Sequence, residues 1–252
     1  MNKVTLSNWK FHGYGCVGLL SFFALWLWMG TFIEEGFFEQ FKLAATLGKL
    51  LFLIQDSETY LHIWMSVQRV LVGLLFALVI GVPIGLLIGQ NAKADALSSQ
   101  IFQFLRMISP LSWMPIAVMV LGVGDHPIYF LLAFAAVWPI ILNTAAGVKN
   151  VDRQLLQLAQ SLDARPSEVL RHIIWPSVVG QILVGLRLAI GIVWIVLVPC
   201  EMLGVSSGLG YFILDARDRL DYTELLSIIL MIGFIGFILD RLVITLQKRF
   251  VV

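Results

Sequence analysis

An all-α protein crossing a membrane about six times is the fold class this sequence predicts, and three observations predict it. Only 13% of the 252 residues are charged, about half the share usual in a soluble domain, and mean hydropathy is +0.90. The apolar residues come in blocks, each near the 18 to 25 residues needed to cross a hydrocarbon core about 30 Å thick. None of the blocks alternates with period 2, so helices are expected rather than barrel strands.

Taken in order, the first block is Gly13–Ile33, behind Lys3 and Lys10. It is longer than a signal-peptide core and lacks a clean small-residue cleavage pattern, so residues 11–33 are expected to stay as a first membrane helix. The second, Val70–Ala92, carries Gly81, Gly85 and Gly89 at four-residue spacing around Pro83, a small face suited to close packing between helices or subunits. Met107–Gly124 and Pro127–Val148 follow, interrupted by Pro110, Pro115 and Pro139. Ser177–Cys200 is broken only by Arg187, and Leu225–Leu239 is the sixth and shortest. Residues 204–224, with Gly204, Gly208 and Gly210, read as a loop or short helix at an external gate. The chain is expected to be one domain, with a core over about 60–250.

Basic residues orient it. Eleven of the 17 Lys and Arg fall in the N-terminus, residues 91–106 and 149–176 and the C-terminal end, while most acids fall in the intervening segments. Positive loops mark the cytoplasm, so both termini are expected there, with residues 152–176.

That last segment holds a polar island between two apolar blocks, QLAQSLDARPSEVLRHIIWP over 157–176. Asp152 suits an N-cap, and Leu155, Leu158, Ala159 and Leu162 recur at helical spacing. Asp163 falls where the helix should stop, in a turn that Asp tolerates less well than Gly. Pro166 suits the first turn of a second helix, whose apolar face is Val169, Leu170, Ile173 and Ile174, leaving Glu168, Arg171 and His172 exposed. Trp175-Pro176 is expected to break that helix. The simpler reading is an amphipathic loop lying on lipid headgroups.

The spacing resembles the cytoplasmic "EAA" motif of bacterial ATP-binding-cassette (ABC) importer permeases, E-A-A-x3-G-x9-I-x-L-P. Gln157, Leu158, Ala159, Asp163, Ile173, Trp175 and Pro176 stand at its positions, with Ala159, Ile173 and Pro176 retained and Asp163 replacing the turn glycine. From about Leu61 to Phe250 the chain is similar to the nitrate/sulfonate/bicarbonate (NitT/TauT) branch, through SVQRVLVGLLFALVIGVPIGLLIG, LVGLRLAIGIVWIVLVPCEMLG and SSGLGYFILDARD. The resemblance implies a MetI-like type I permease fold and a coupling hairpin that docks on an ATPase subunit. Gln157, Leu158, Ala159, Asp163, Glu168, Arg171 and Pro176 are then the candidate coupling residues. It also implies a second permease copy, two ATPase subunits holding ATP and Mg, and an extracytoplasmic binding protein.

Arg187, about ten residues into its span, is costly unless it faces protein or water. It either lends positive potential to an anion pathway or pairs internally with carbonyls, Glu201 or Asp240. Ser109, Ser112, Trp113, Asn143, Trp194 and Glu201 are the other candidate pathway residues, each also a plausible packing residue. The four histidines lack metal-ligand spacing, Cys16 and Cys200 read as small apolar packing residues, and no phosphate-binding loop occurs. No cofactor or nucleic-acid partner is expected, and no catalytic constellation. A lone secondary transporter or channel, or a scaffold, remain alternatives. Sulfonates including taurine, nitrate, bicarbonate and cyanate are all open as substrates.

Overall fold

The structure is a computed structural model that describes residues 17, 18, 20–28, 30 and 37–250. The expected first span falls largely outside the described residues, as do Lys3, Lys10, His12 and Cys16; the described residues between 17 and 30 are helical. A 3₁₀ turn at Phe37–Phe41 leads into nine helices, with no strand among the described residues. They are α1 (Leu43–Leu53), α2 (Ser57–Gln90), α3 (Ala92–Met107), α4 (Met114–Leu121), α5 (Asp125–Lys149), α6 (Arg153–Ser161), α7 (Pro166–Gly204), α8 (Leu209–Asp218) and α9 (Tyr222–Phe250). Four of these, α2, α5, α7 and α9, are long and apolar enough to cross a membrane. A fifth crossing exists if the bent pair of α3 with residues 110–121 counts as one span.

The core is a layer of three helices with α5 in the middle. Ile128, Leu132, Ala136 and Ile140 of α5 pack between Val70, Leu74 and Ala77 of α2 and Ala189, Val193 and Leu197 of α7. Lipid tails are as apolar as leucine, so close fit rather than dehydration must hold such helices together. The fit comes from the glycine face. A methyl group added at Gly81, Gly85 or Gly89 would collide with Ile140, Thr144 and Val148 respectively. The matched order makes α2 and α5 parallel, and the glycine stripe packs inside this chain rather than at its surface. On the other face Gly185 meets Pro139 and Asn143 while Gly147 meets Gln181, so α5 and α7 run antiparallel.

Two expected boundaries change. The block Met107–Gly124 is not one straight span: α3 ends at Met107 and the chain bends by 85° before residues 110–121. Pro110 is the cause, since it pushes the residue before it out of helical geometry, and Ser109 and Ile108 are both extended with ψ of 130° and 124°. The expected break at Trp175-Pro176 is absent. Trp175 keeps helical angles (φ −57°, ψ −51°) and α7 runs on without interruption from Pro166 to Gly204. A π turn at Leu170–Ile174 precedes the proline. Its wider winding gives the ring room that a regular turn would deny it against the carbonyl four residues back.

Helix α1 was no part of the expected spans. Its 11 residues dock on the start of α9, where Ser227 Oγ donates to Thr46 O at 2.8 Å, and the preceding 3₁₀ turn docks beside it, Thr223 Oγ1 donating to Gln40 O at 3.1 Å. Lys49 reinforces the dock by bridging Glu224 (2.9 Å) and Asp221 (3.2 Å).

Candidate functional site

The hairpin of α6 and the first turns of α7 is built from local rules. Asp152 accepts the Gln154 N–H at 2.8 Å and caps α6. At the other end Asp163 sits at φ +48°, in the left-handed region. Ala164 N–H donates to Ala159 O at 3.0 Å and Asp163 N–H to Gln160 O at 3.1 Å, which together complete a Schellman turn. Asp163 thus does a turn glycine's work with an exposed side chain. Glu168 accepts the Arg165 N–H at 2.8 Å, with Pro166 between them in the first turn. That fixes Glu168 as a clasp of the hairpin itself.

One side of the hairpin is anchored. Leu156, Val169 and Ile173 pack on a cluster of Val148, Val151, Ile174 and Val178, and Ala159 is buried. The other side is not covered. Leu155, Leu158 and Leu162 are 44%, 57% and 72% exposed on one helical face, with Gln157, Arg171 and Pro176 also exposed. The hairpin is rigid from within and apolar outward.

The opposite end of the three-helix layer holds a feature that sequence reasoning missed. Arg69 of α2 is 1% exposed and Glu201 of α7 is 0% exposed, and they pair at 2.7 Å. The Arg69 guanidinium also pairs with Asp125 at the start of α5 (2.8 Å) and donates to Ser207 O (2.6 Å). Glu201 further accepts the Gly210 N–H at 2.9 Å and lies 2.8 Å from Ser66 Oγ, which itself accepts the Leu209 N–H. His62 Nδ1 accepts the Gly208 N–H at 3.0 Å. Every donor of Arg69 faces an acceptor, as a buried charge requires. Gly208 has φ +112°, and a Cβ there would collide with Arg69 and Glu201. The knot ties α2, α5, α7 and the 205–210 loop together. The signal for it was thin: Arg69 just before one apolar block and Glu201 just after another.

The other candidate residues scatter. Arg187 pairs with Asp240 of α9 at 3.0 Å, both side chains less than half exposed, and lies roughly 21 Å along α7 from Glu201. That distance takes it past the middle of a core about 30 Å thick. Trp194 packs over Gly236 and donates its indole N–H to Ile232 O at 3.2 Å. Ser109 and Ser112 are exposed at the bend, and Trp113 lies against Phe134 with ring centres 5.7 Å apart. Asn143 donates to Pro139 O at 2.8 Å and faces a cavity beside the bend. Glu201 belongs to the buried knot, and the structure does not bring these candidates into one site. Among the described residues no cluster of His, Cys, Asp and Glu could hold a metal ion.

Against this geometry, the comparisons with known proteins are decisive on family. Residues 81–252 match the family described as the binding-protein-dependent transport system inner membrane component. The chain belongs to that family. Over 185 residues it is 36% identical to the bicarbonate transport system permease protein CmpB of Synechococcus elongatus, covering 73% of this chain and 66% of that protein. Over 193 residues it is 34% identical to the nitrate import permease protein NrtB of Synechocystis, covering 77% and 70%. The match thus spans about two thirds of the bicarbonate permease's own length. The inward-facing MetNI methionine ABC transporter has the same fold, with a TM-score of 0.61 at 17% identity over 75% of this chain and 94% of that one. Family membership makes this chain an inner-membrane transport component of MetI-type fold.

Proposed function

We propose that this chain is the membrane-spanning subunit of an ATP-driven importer for a small anion. Nitrate and bicarbonate permeases are its relatives. Two copies form the pathway, an extracytoplasmic binding protein delivers the anion, and ATP with Mg is hydrolysed in separate ATPase subunits. The hairpin end faces the cytoplasm, as do both termini, and the Arg69 knot faces outward.

The observation that carries this reading is the uncovered leucine face of a hairpin otherwise fixed by its own caps. An apolar stripe that leaves one side of a rigid helix bare fits a partner's groove. Closure of the ATPases would push on Leu155, Leu158 and Leu162. Because α7 is continuous from Pro166, the push would travel into a membrane helix without passing a hinge. The test is capture of the ATPase by the permease carrying Leu158→Asp. Capture is expected to fall sharply while the permease remains folded. Normal assembly and transport after deletion of 157–172 would contradict the mechanism, and anion flux through the purified chain alone would favour a secondary transporter or channel.

A further inference from the structure

A cavity of about 360 Å³ opens where the bend after α3 meets α5, and its lining includes Arg106, Pro110, Trp138, Pro139, Asn143 and Leu188. Arg106 is the one charged side chain in that lining, and among the described residues no ion pair or hydrogen bond engages it. The nearest acid along its helix, Asp95, is held by Lys149 at 2.7 Å. Trp138 is 8% exposed, yet its indole N–H is buried and has no partner. It borders this cavity and a neighbouring one that also includes Arg106. Asn143 gives one amide hydrogen to Pro139 O and has a second to give.

Arg106 is exposed in the single chain, but it lies beside Trp138, Asn143 and Leu188, midway along apolar helices rather than in the cytoplasmic segment where its charge was counted. An unpaired guanidinium at that level is costly, as is a buried, unpartnered N–H. A ligand made of acceptors and negative charge removes both costs at once. We propose that this cavity is a binding site for a small oxyanion. The guanidinium fork of Arg106 takes two of its oxygens and Asn143 donates to the third, while a small turn of the Trp138 indole, whose N–H is buried behind the cavity wall, brings that N–H to the same anion. A planar three-oxygen anion, or the head of a sulfonate, matches that fork. The bend created by Pro110 opens the site, and the helical face of α5 from Trp138 to Asn143 forms its wall. The proposal rests on the reading of this chain as an anion importer's permease. A lipid phosphate offers the same chemistry, so the test must separate the two.

The complex with its ATPase and binding protein is reconstituted in vesicles of zwitterionic lipid only. Uptake of nitrate, bicarbonate, cyanate and methanesulfonate is measured for the unaltered chain and for Arg106→Gln, Arg106→Lys, Trp138→Phe and Lys93→Gln. For the anion that the unaltered complex carries, Arg106→Gln is expected to lower maximal uptake about 10- to 100-fold, as loss of charge-assisted hydrogen bonds implies. Arg106→Lys recovers part of it, Trp138→Phe lowers uptake less, and Lys93→Gln on the same helix leaves it unchanged. That anion should also raise the thermal unfolding midpoint of the assembled complex, but not with Arg106→Gln. Undiminished uptake by Arg106→Gln, or an equal loss with Lys93→Gln, overturns the proposal. So does an Arg106→Gln defect that appears only when anionic phospholipid is added, because the guanidinium then serves a headgroup. Import of a cation or neutral solute by the unaltered complex, with none of the four anions carried, overturns the underlying functional reading and the site with it.

Discussion

The two ends of the three-helix layer are built on opposite plans. At one end Arg69, Glu201, Ser66, Asp125 and the 207–210 backbone satisfy one another, and Arg69 and Glu201 are excluded from solvent. At the other end the hairpin is capped at both turns yet leaves three leucines bare. The first end is complete within the chain, and the second, on the function proposed above, is completed by a partner. A transport subunit needs both. Force can be transmitted only by an element that grips something outside, and it moves the whole layer only if the far ends of the helices are tied together.

The sharpest way to break the contrast is to remove one partner of the knot. Arg69→Ala or Glu201→Ala strands a buried charge and should cost about 3–5 kcal/mol, read as a collapse of thermal stability in detergent. The double change Arg69→Met with Glu201→Met should recover part of that loss. Gly208→Ala, strained at φ +112° and colliding with both charged groups, should cost about 1–3 kcal/mol in the same assay. If these changes proved harmless, the two ends would not differ in the way described.

Changes at the hairpin should behave differently. Leu162→Ser, at 72% exposure, should leave stability within about 0.5 kcal/mol while reducing ATPase capture. Asp163→Gly removes the only side chain that resists the hairpin's left-handed turn. Stability should move by less than about 1 kcal/mol, and ATPase capture should persist.

The smallest effect concerns pH at the dock of α1 on α9. The hydrogen bond to Glu224 raises the Lys49 pKa above 10.5, against the opposing effect of burial and with help from Asp221. Burial pushes Asp221 up, but the Glu224 N–H and Lys49 outweigh it and hold the carboxyl below 3.8. The raised base stabilises the dock fully below its ordinary pKa, and that contribution is lost as pH rises through the folded value. The depressed acid contributes fully above its ordinary pKa, and loses this as pH falls through its folded value. Hydrogen exchange in 43–53 should therefore show flat protection between those limits and weakening beyond them.

Much of the fold was legible because its determinants are local. Apolar blocks long enough to span, the Asp152 cap, the Asp163 turn and Pro166 all act within a few residues of themselves. The bend at Ile108–Pro110 was half legible: the proline was visible, but a proline inside a helix can equally be absorbed, as Pro139 is in α5. Trp175-Pro176 misled for the same reason, since a π turn absorbs it. The knot was not legible. Arg69 and Glu201 lie 132 residues apart, and nothing in either neighbourhood names the other. The leucine face of the hairpin was visible as a stripe, but only the fold decides that Leu156 and Ala159 turn inward while Leu155, Leu158 and Leu162 turn out.

If the driving subunit grips this outward face, cysteines at Leu158 and Leu220, two exposed positions at opposite ends of the layer, will report it. In the assembled complex, Leu158→Cys should cross-link to the ATPase with a short bifunctional reagent and resist an impermeant maleimide added to intact cells, while Leu220→Cys should do the reverse. Cross-linking of the ATPase at Leu220→Cys, or labelling of Leu158→Cys from outside, would contradict it.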